Sequence, residues 1–214
     1  METITSIVRW AGGVAALVMM VMIMISVGRF RSRPAGKTVG SSPGRMYSPI
    51  FLVIASLISI GVGVLLWRPI VDTLPGWAQV TALILGSLLY FPGIGLILWG
   101  RLTLGKFHNL STTQGVQLFA DHQLITSGPF AYVRHPMYLG FWMAALGGLL
   151  LYGTWTMAVL LLGAPIFGKR ARREEEALLL VFGEEYRAYQ RRVPAFLPHL
   201  SRRKQAAGSD QYGK

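Results

Sequence analysis

The chain has 214 residues, 52% of them apolar and 14% charged, with a mean hydropathy of +0.46 and a net charge of +12. Soluble domains carry about 25% charged residues, so long uncharged runs and a bilayer, rather than a water-solvated surface, are the expected setting. With no cysteine in the sequence, disulfides, thiolate metal sites and cysteine nucleophiles are excluded; at this hydropathy the basic excess points to membrane topology and anionic headgroups rather than to nucleic acid.

The first apolar run is Trp10–Val27, reaching back towards Ile4 if Arg9 snorkels. It is long for a signal-peptide core, lacks a small-x-small cleavage site and is followed by Arg29, Arg31 and Arg33, so it is expected to be retained as a span. Pro49–Trp67 and Trp77–Trp99 are the next two predicted spans. Each is about 20 residues, enough to cross roughly 30 Å of hydrocarbon. Trp67, Trp77 and Trp99 stand where an interfacial aromatic belt would place them.

Residues 101–136 change character, mixing turn-forming and polar groups (Asn109, Ser111, then Ser127-Gly128-Pro129) with aromatics, and are predicted to form a re-entrant or interfacial segment. Apolar character resumes in Met137–Leu151 and Thr154–Phe167, predicted as a helical hairpin about Tyr152-Gly153. Gly140, Ala144, Gly147 and Gly148 would let its helices pack closely. From Gly168 the chain is highly charged. Leu178, Phe182, Tyr186, Tyr189 and Val193 recur at helical steps and predict one apolar stripe on one helix, ended by Pro194 and Pro198. The basic tail from Ser201 is expected to be disordered.

The predicted fold is therefore an all-α integral membrane protein of about five transmembrane helices with a cytoplasmic C-terminal helix. Three N-terminal helices (1–100) precede a functional region (101–200) and a tail (201–214). An odd number of crossings leaves only Arg9 and Arg68, of the 21 Lys and Arg, on the side opposite the basic segments. The positive-inside rule makes the loaded side cytoplasmic and puts the N-terminus outside.

Two polar clusters are candidates for chemistry. Pro136 disfavours helical geometry at His135 and itself suits the first turn of a helix, so Arg134 and His135 are predicted at a helix mouth, where unpaired N–H groups favour an anionic ligand group. Arg170 and Glu174 are four residues apart and share a helix face on the same side of the membrane. Each cluster has a plainer reading, as headgroup-facing cations or a salt-bridged helix start. Metal binding is not expected, because His108, His122, His135 and His199 are widely spaced.

The string GPFAYVRHPMYLG, followed after a hydrophobic hairpin by EEEALLLVFGEEYRAYQRRVPAFLP, resembles the isoprenylcysteine carboxyl methyltransferase family, within a wider group that includes phospholipid N-methyltransferases. The resemblance covers roughly 100–198; the first 100 residues match nothing beyond generic spans. It implies an all-helical membrane enzyme using S-adenosyl-L-methionine, and the sequence has no glycine-rich dinucleotide fingerprint. By the same resemblance His135, Tyr138 and Gly140 line the cofactor pocket, and the Gln123-Leu124 to Gly128 stretch walls it. Glu174 and Glu175 form the paired acidic motif, with Arg170 one turn earlier, while Tyr186, Tyr189 and Pro194 form the C-terminal lid. Phe130 and Ala131 depart from the tyrosine and arginine often found there, and Glu176 is a third acidic residue.

The implied function is S-adenosylmethionine-dependent methylation of a lipophilic small-molecule acceptor, with a carboxylate preferred and membrane lipids as surroundings. A carboxylate is ionised at neutral pH and needs no base, so Arg170, oriented by Glu174, would hold it. An amine would need His135 or a glutamate to remove a proton. The residues supply both sets, and the sequence leaves the acceptor and the oligomeric state open. An NADPH-dependent sterol or isoprenoid reductase-like enzyme and a non-catalytic lipid-binding scaffold are the alternative readings.

Overall fold

The computed structural model describes residues 2–30, 35–40, 49–71, 74–105, 115–119 and 123–197. The helices are α1 (Glu2–Phe30), α2 (Pro49–Leu65), α3 (Gly76–Leu104), α4 (Pro136–Tyr152), α5 (Trp155–Gly163), α6 (Ile166–Phe182) and α7 (Glu184–Arg192). Two strands, β1 (Ala35–Gly40) and β2 (Gly115–Phe119), pair antiparallel, with Thr38 opposite Gln117 and Gly40 opposite Gly115. The all-α expectation is corrected to this extent. The ribbon joins two segments that hydropathy reads only as loops, and a pairing across nearly 80 residues leaves no local signature. The basic residues Arg31, Arg33, Arg45 and Lys106, the histidines at 108, 122 and 199, and the predicted disordered tail all lie outside the described residues.

The centre of the fold is the antiparallel pair α3–α4. Gly86, Gly93 and Gly100 recur every seven residues on α3, opposite Gly147, Ala144 and Gly140, and finally Met137 on α4. A Cβ on Gly93 would come within 2.6 Å of the Ala144 backbone nitrogen, and one on Gly140 within 2.6 Å of the Gly93 carbonyl oxygen. Backbone is thus packed on backbone, the arrangement that yields dispersion contact where lipid offers no hydrophobic drive. Tyr90, Ile94, Ala144 and Leu151 form the buried core beside this seam.

Helix α1 leans on the pair along one stripe. Its inward residues are Thr5, Val8, Gly12, Ala15, Met19 and Met22, in steps of three and four, while Leu17, Val18, Met20 and Val21 are exposed. Arg9 Nε donates to the Leu151 carbonyl at 2.8 Å, Tyr152 donates to the Arg9 carbonyl at 2.8 Å, and Tyr90 donates to the Gly12 carbonyl at 3.0 Å. The segment after α2 joins the same end: Trp155 N–H donates to the Arg68 carbonyl, Ile70 N–H to Gly153, and Trp67 packs on Tyr152. Arg9, Arg68 and the α4–α5 turn therefore share one end of the bundle.

Predicted and observed helices differ in three places. Helix α3 continues one turn past Trp99, to Leu104, through an internal Pro92. The second limb of the hairpin is only the nine-residue α5, after which Ala164 and Pro165 stay helical and lead into α6. Pro165 lacks the N–H needed to continue the ladder, and shorter bonds from Phe167 to Ala164 and from Gly168 to Pro165 carry the chain round the bend. The apolar stripe from Leu178 to Val193 spans two helices rather than one, because Gly183 adopts φ 50°, ψ −119°, a conformation open only to glycine. The stripe survives the break: Tyr186, Tyr189 and Val193 are buried against Leu178, Phe182 and Leu124. Among the described residues, Thr3–Met22 and Gly76–Leu104 are long and apolar enough to cross a membrane, and Pro136–Tyr152 is a shorter apolar helix.

Candidate active site

At the end of the bundle away from Arg9 lies a cavity of about 380 Å³ between α1, α3, α4, α6 and α7, within the roughly 300–1,000 Å³ range of small-molecule pockets. Pro136 starts α4, and His135 before it is extended enough for its N–H and that of Arg134 to pair with the carbonyls of Ala195 and Pro194. The chain after α7 is thereby laid beside the mouth of α4. His135 is only 6% exposed, stacked on Tyr138 and tilted against Phe196.

The paired glutamates of α6 split their duties. Glu175 Oε1 accepts from Arg134 Nε at 2.9 Å and lies 2.9 Å from His135 Nε2, while its Oε2 accepts from Gln190 of α7 at 3.1 Å. Burial pushes the Glu175 carboxyl up, but the hydrogen bonds and charges of His135 and Arg134 outweigh it and hold the group below its ordinary value. Glu174 faces the cavity, accepts a short hydrogen bond from Tyr138 and stands 3.7 Å from His135 Nδ1. Arg170 lies over the rings of Tyr138 and Phe167, 5.8 and 5.6 Å from their centroids. Tyr189 donates to the Phe130 carbonyl at 2.6 Å, and burial raises its hydroxyl to about 12. Burial likewise raises that of Tyr186. Both phenols stay neutral.

Of the residues singled out from sequence, Gln123, Leu124, His135, Tyr138, Arg170, Glu174, Tyr186 and Tyr189 all line this cavity. Three do not. Gly140 is spent on contact with Gly93 and Ile97 of α3. Gly128 turns the chain at φ 59° under Thr103. Glu175 sits behind His135, lining a second cavity with Lys169, Arg172 and Phe196. Arg134, expected at the mouth as an anion partner, has its guanidinium on Glu175 and on the Gln190 and Val193 carbonyls at the end of α7. That end of a helix is where a cation is favoured. Sequence reading missed the apolar wall of the cavity, formed by Met19 and Met22 of α1 with Ile97, Leu98 and Met137. The alternating three-and-four spacing on α1 was the available signal. No group of three or more metal-ligating side chains occurs among the described residues.

Fold and site together define a helical protein with two described helices long and apolar enough to cross a membrane and a cavity at one end of its bundle. Residues 82–180 match the isoprenylcysteine carboxyl methyltransferase (ICMT) family. The chain is similar to Protein-S-isoprenylcysteine O-methyltransferase of Schizosaccharomyces pombe, with 41% identity over 80 residues, covering 36% of this chain and 34% of that protein. It is also similar to Methanethiol S-methyltransferase of Pseudomonas deceptionensis, with 30% identity over 167 residues, covering 70% and 59%. A solved structure, that of the eukaryotic intramembrane Ras methyltransferase ICMT, aligns at a TM-score of 0.47 with 25% identity, over 70% of this chain and 53% of that one. The matched stretches thus span from about a third to under two thirds of these relatives' lengths.

Proposed function

We propose that this protein is an integral membrane methyltransferase that methylates a lipophilic acceptor, with S-adenosylmethionine as donor and a carboxylate as the acceptor group. The observation that carries the reading is the two-sided cavity. One side presents Glu174, His135, Arg170 and Tyr138; the other presents Met19, Met22, Ile97 and Leu98. A polar donor and an apolar acceptor need such a pair of walls.

The residues fit the donor. A sulfonium cation is favoured beside a carboxylate and over aromatic faces, which Glu174, Tyr138 and Tyr186 supply, while Gln123 and Leu124 close the side wall. When bound, S-adenosylmethionine provides a methyl group already activated for displacement, so the protein's work is to position the acceptor and keep water out. Arg170 is the group for an acceptor carboxylate, held in place by the rings beneath it. No base is required, because the acceptor oxygen is already an anion at neutral pH. The relatives' names record both an O- and an S-methyltransferase, so acceptor chemistry varies among the chain's relatives.

Five crossings follow if α1, α2, α3, α4 and the α5–Pro165 segment each traverse the bilayer. Arg9, Arg68 and the α4–α5 turn share one end, and the cavity and the charged α6 lie at the other. The positive-inside rule makes the cavity end cytoplasmic, where a water-soluble donor is available.

The test is calorimetry of the detergent-solubilised protein with S-adenosylmethionine and with NADPH, followed by lipid analysis with a labelled methyl donor in membranes with and without the protein. Binding of the methyl donor and a labelled lipid acid ester are expected. NADPH binding alone, or no affinity for either, overturns the reading.

A further inference from the structure

Helix α1 lies outside the family-matched residues 82–180, yet it supplies two side chains to the cavity. The last two described side chains of its inward stripe are Met19 and Met22, both half-buried, and both line the cavity. Polar ties join α1 to the bundle at Arg9 and Gly12. Ten residues, about 15 Å of helix, separate Gly12 from Met22. At the cavity end of α1, Met19 packs on the Tyr90 and Ile94 core.

Ile97, Leu98, Leu104 and Met137 complete the apolar wall, Arg101 on α3 lines the cavity beside it with a guanidinium bond to the Gly105 carbonyl at 3.0 Å, and the neighbouring outer surfaces of α1 and α3 carry exposed Leu17, Val21 and Leu102. The side chains of Met19, Met22, Ile97, Leu98 and Met137 offer no charged partner to a donor's ammonium, carboxylate and sulfonium groups. Methionine is unbranched and adapts to irregular apolar ligands.

We infer that α1 forms the wall against which the acceptor's hydrocarbon chain lies, and that Met19 and Met22 set the length of chain accepted. This rests on the methyltransferase reading for the identity of the ligand. The assignment of α1 to the apolar ligand stands on the wall itself. Each buried methylene contributes about the same increment of binding, so a side chain that removes room for a few of them discriminates by chain length.

The experiment has two arms on the full chain in nanodiscs. In the first, methyl transfer to octanoate, dodecanoate, hexadecanoate and S-farnesyl cysteine is compared for wild type, Met19→Trp, Met22→Trp and Met22→Ala, with S-adenosylmethionine affinity measured on the same preparations. The tryptophan variants are expected to lower the long-to-short ratio of kcat/KM by tenfold or more while the affinity for S-adenosylmethionine holds, and Met22→Ala to raise the ratio. An unchanged ratio in all three overturns the inference, although transfer itself upholds the function. In the second arm a diazirine-bearing hexadecanoate is photocrosslinked and the labelled peptides are identified. Labelling of α1 around Met19–Met22 is expected whether or not the probe is turned over, and labelling confined to other helices overturns the inference. Failure to bind S-adenosylmethionine overturns the methyltransferase reading and leaves the crosslinking result to judge α1.

Discussion

At the scale of the residue, Glu175 joins three parts of the chain with one carboxylate: the turn before α4 through Arg134 and His135, its own helix α6, and α7 through Gln190. Because its folded-state value lies below the ordinary one, the unfolded chain binds more protons between the two. The stability it contributes is then complete above about 4.5 and is lost as pH falls through the lower folded value. Thermal unfolding in detergent from neutral pH to about pH 3 should show this loss, and Glu175→Gln should flatten the acid limb while costing about 2–3 kcal/mol at neutral pH. A variant with the wild-type acid profile would show the group to be unimportant. For the cavity itself, His135→Ala and Tyr138→Ala are expected to weaken S-adenosylmethionine binding at least tenfold, about 1.4 kcal/mol by calorimetry. Arg170→Lys should instead lower single-turnover rates about a hundredfold with little change in cofactor affinity, since a point charge cannot reproduce the planar fork over Tyr138. Retention of full activity by that variant would refute the carboxylate clamp. Arg172→Ala, on an exposed face, is the matched control.

At the scale of the element, the α3–α4 seam makes the clearest demand. Gly93→Leu must push α4 away, because the added atoms meet the Ala144 and Gly140 backbones rather than a side chain that can turn aside. A loss of about 3 kcal/mol or more in detergent unfolding is expected, in the range of severe overpacking. Gly95→Ala, two residues along the same helix with open space around it, should be neutral or slightly stabilising. Equal effects at the two positions would show that the seam is not what holds the pair. Gly183 tests a different link. Alanine there is strained by about 1–3 kcal/mol, and it should loosen α7 and raise the dissociation rate of S-adenosylmethionine more than it lowers the melting temperature.

At the scale of the whole molecule, the lack of native cysteine makes topology directly measurable. Single cysteines at Arg68 and at Arg172 should react with an impermeant reagent from opposite sides of the membrane, with Arg172 accessible from the cytoplasm. Labelling of both from one side would rule out five crossings. The positions of the long apolar helices were legible beforehand, since apolar run length is additive along the chain and needs no knowledge of contacts. The spacing of Gly140, Ala144 and Gly147 likewise announced a close helix contact, because a glycine stripe on an apolar helix has little other use.

Local patterns of that kind settled the class of protein: where the apolar helices run, which face of α4 packs, and which string carries the family resemblance. The two blocks RHPMY and REEE could be named as candidates because backbone restriction by proline and helical spacing act within a few residues. Only the tertiary structure decided how the two meet, since the distance between His135 and Glu175 depends on the bend at Pro165 and on where the chain after Gly183 returns. That return set Arg134 on the end of α7 and Glu175 behind His135, and it left Glu174 to face the cavity. The ribbon β1–β2 and the wall supplied by α1 belong to the same category. Both are contacts between segments far apart in the chain, whose pairing depends on the closure of everything between them.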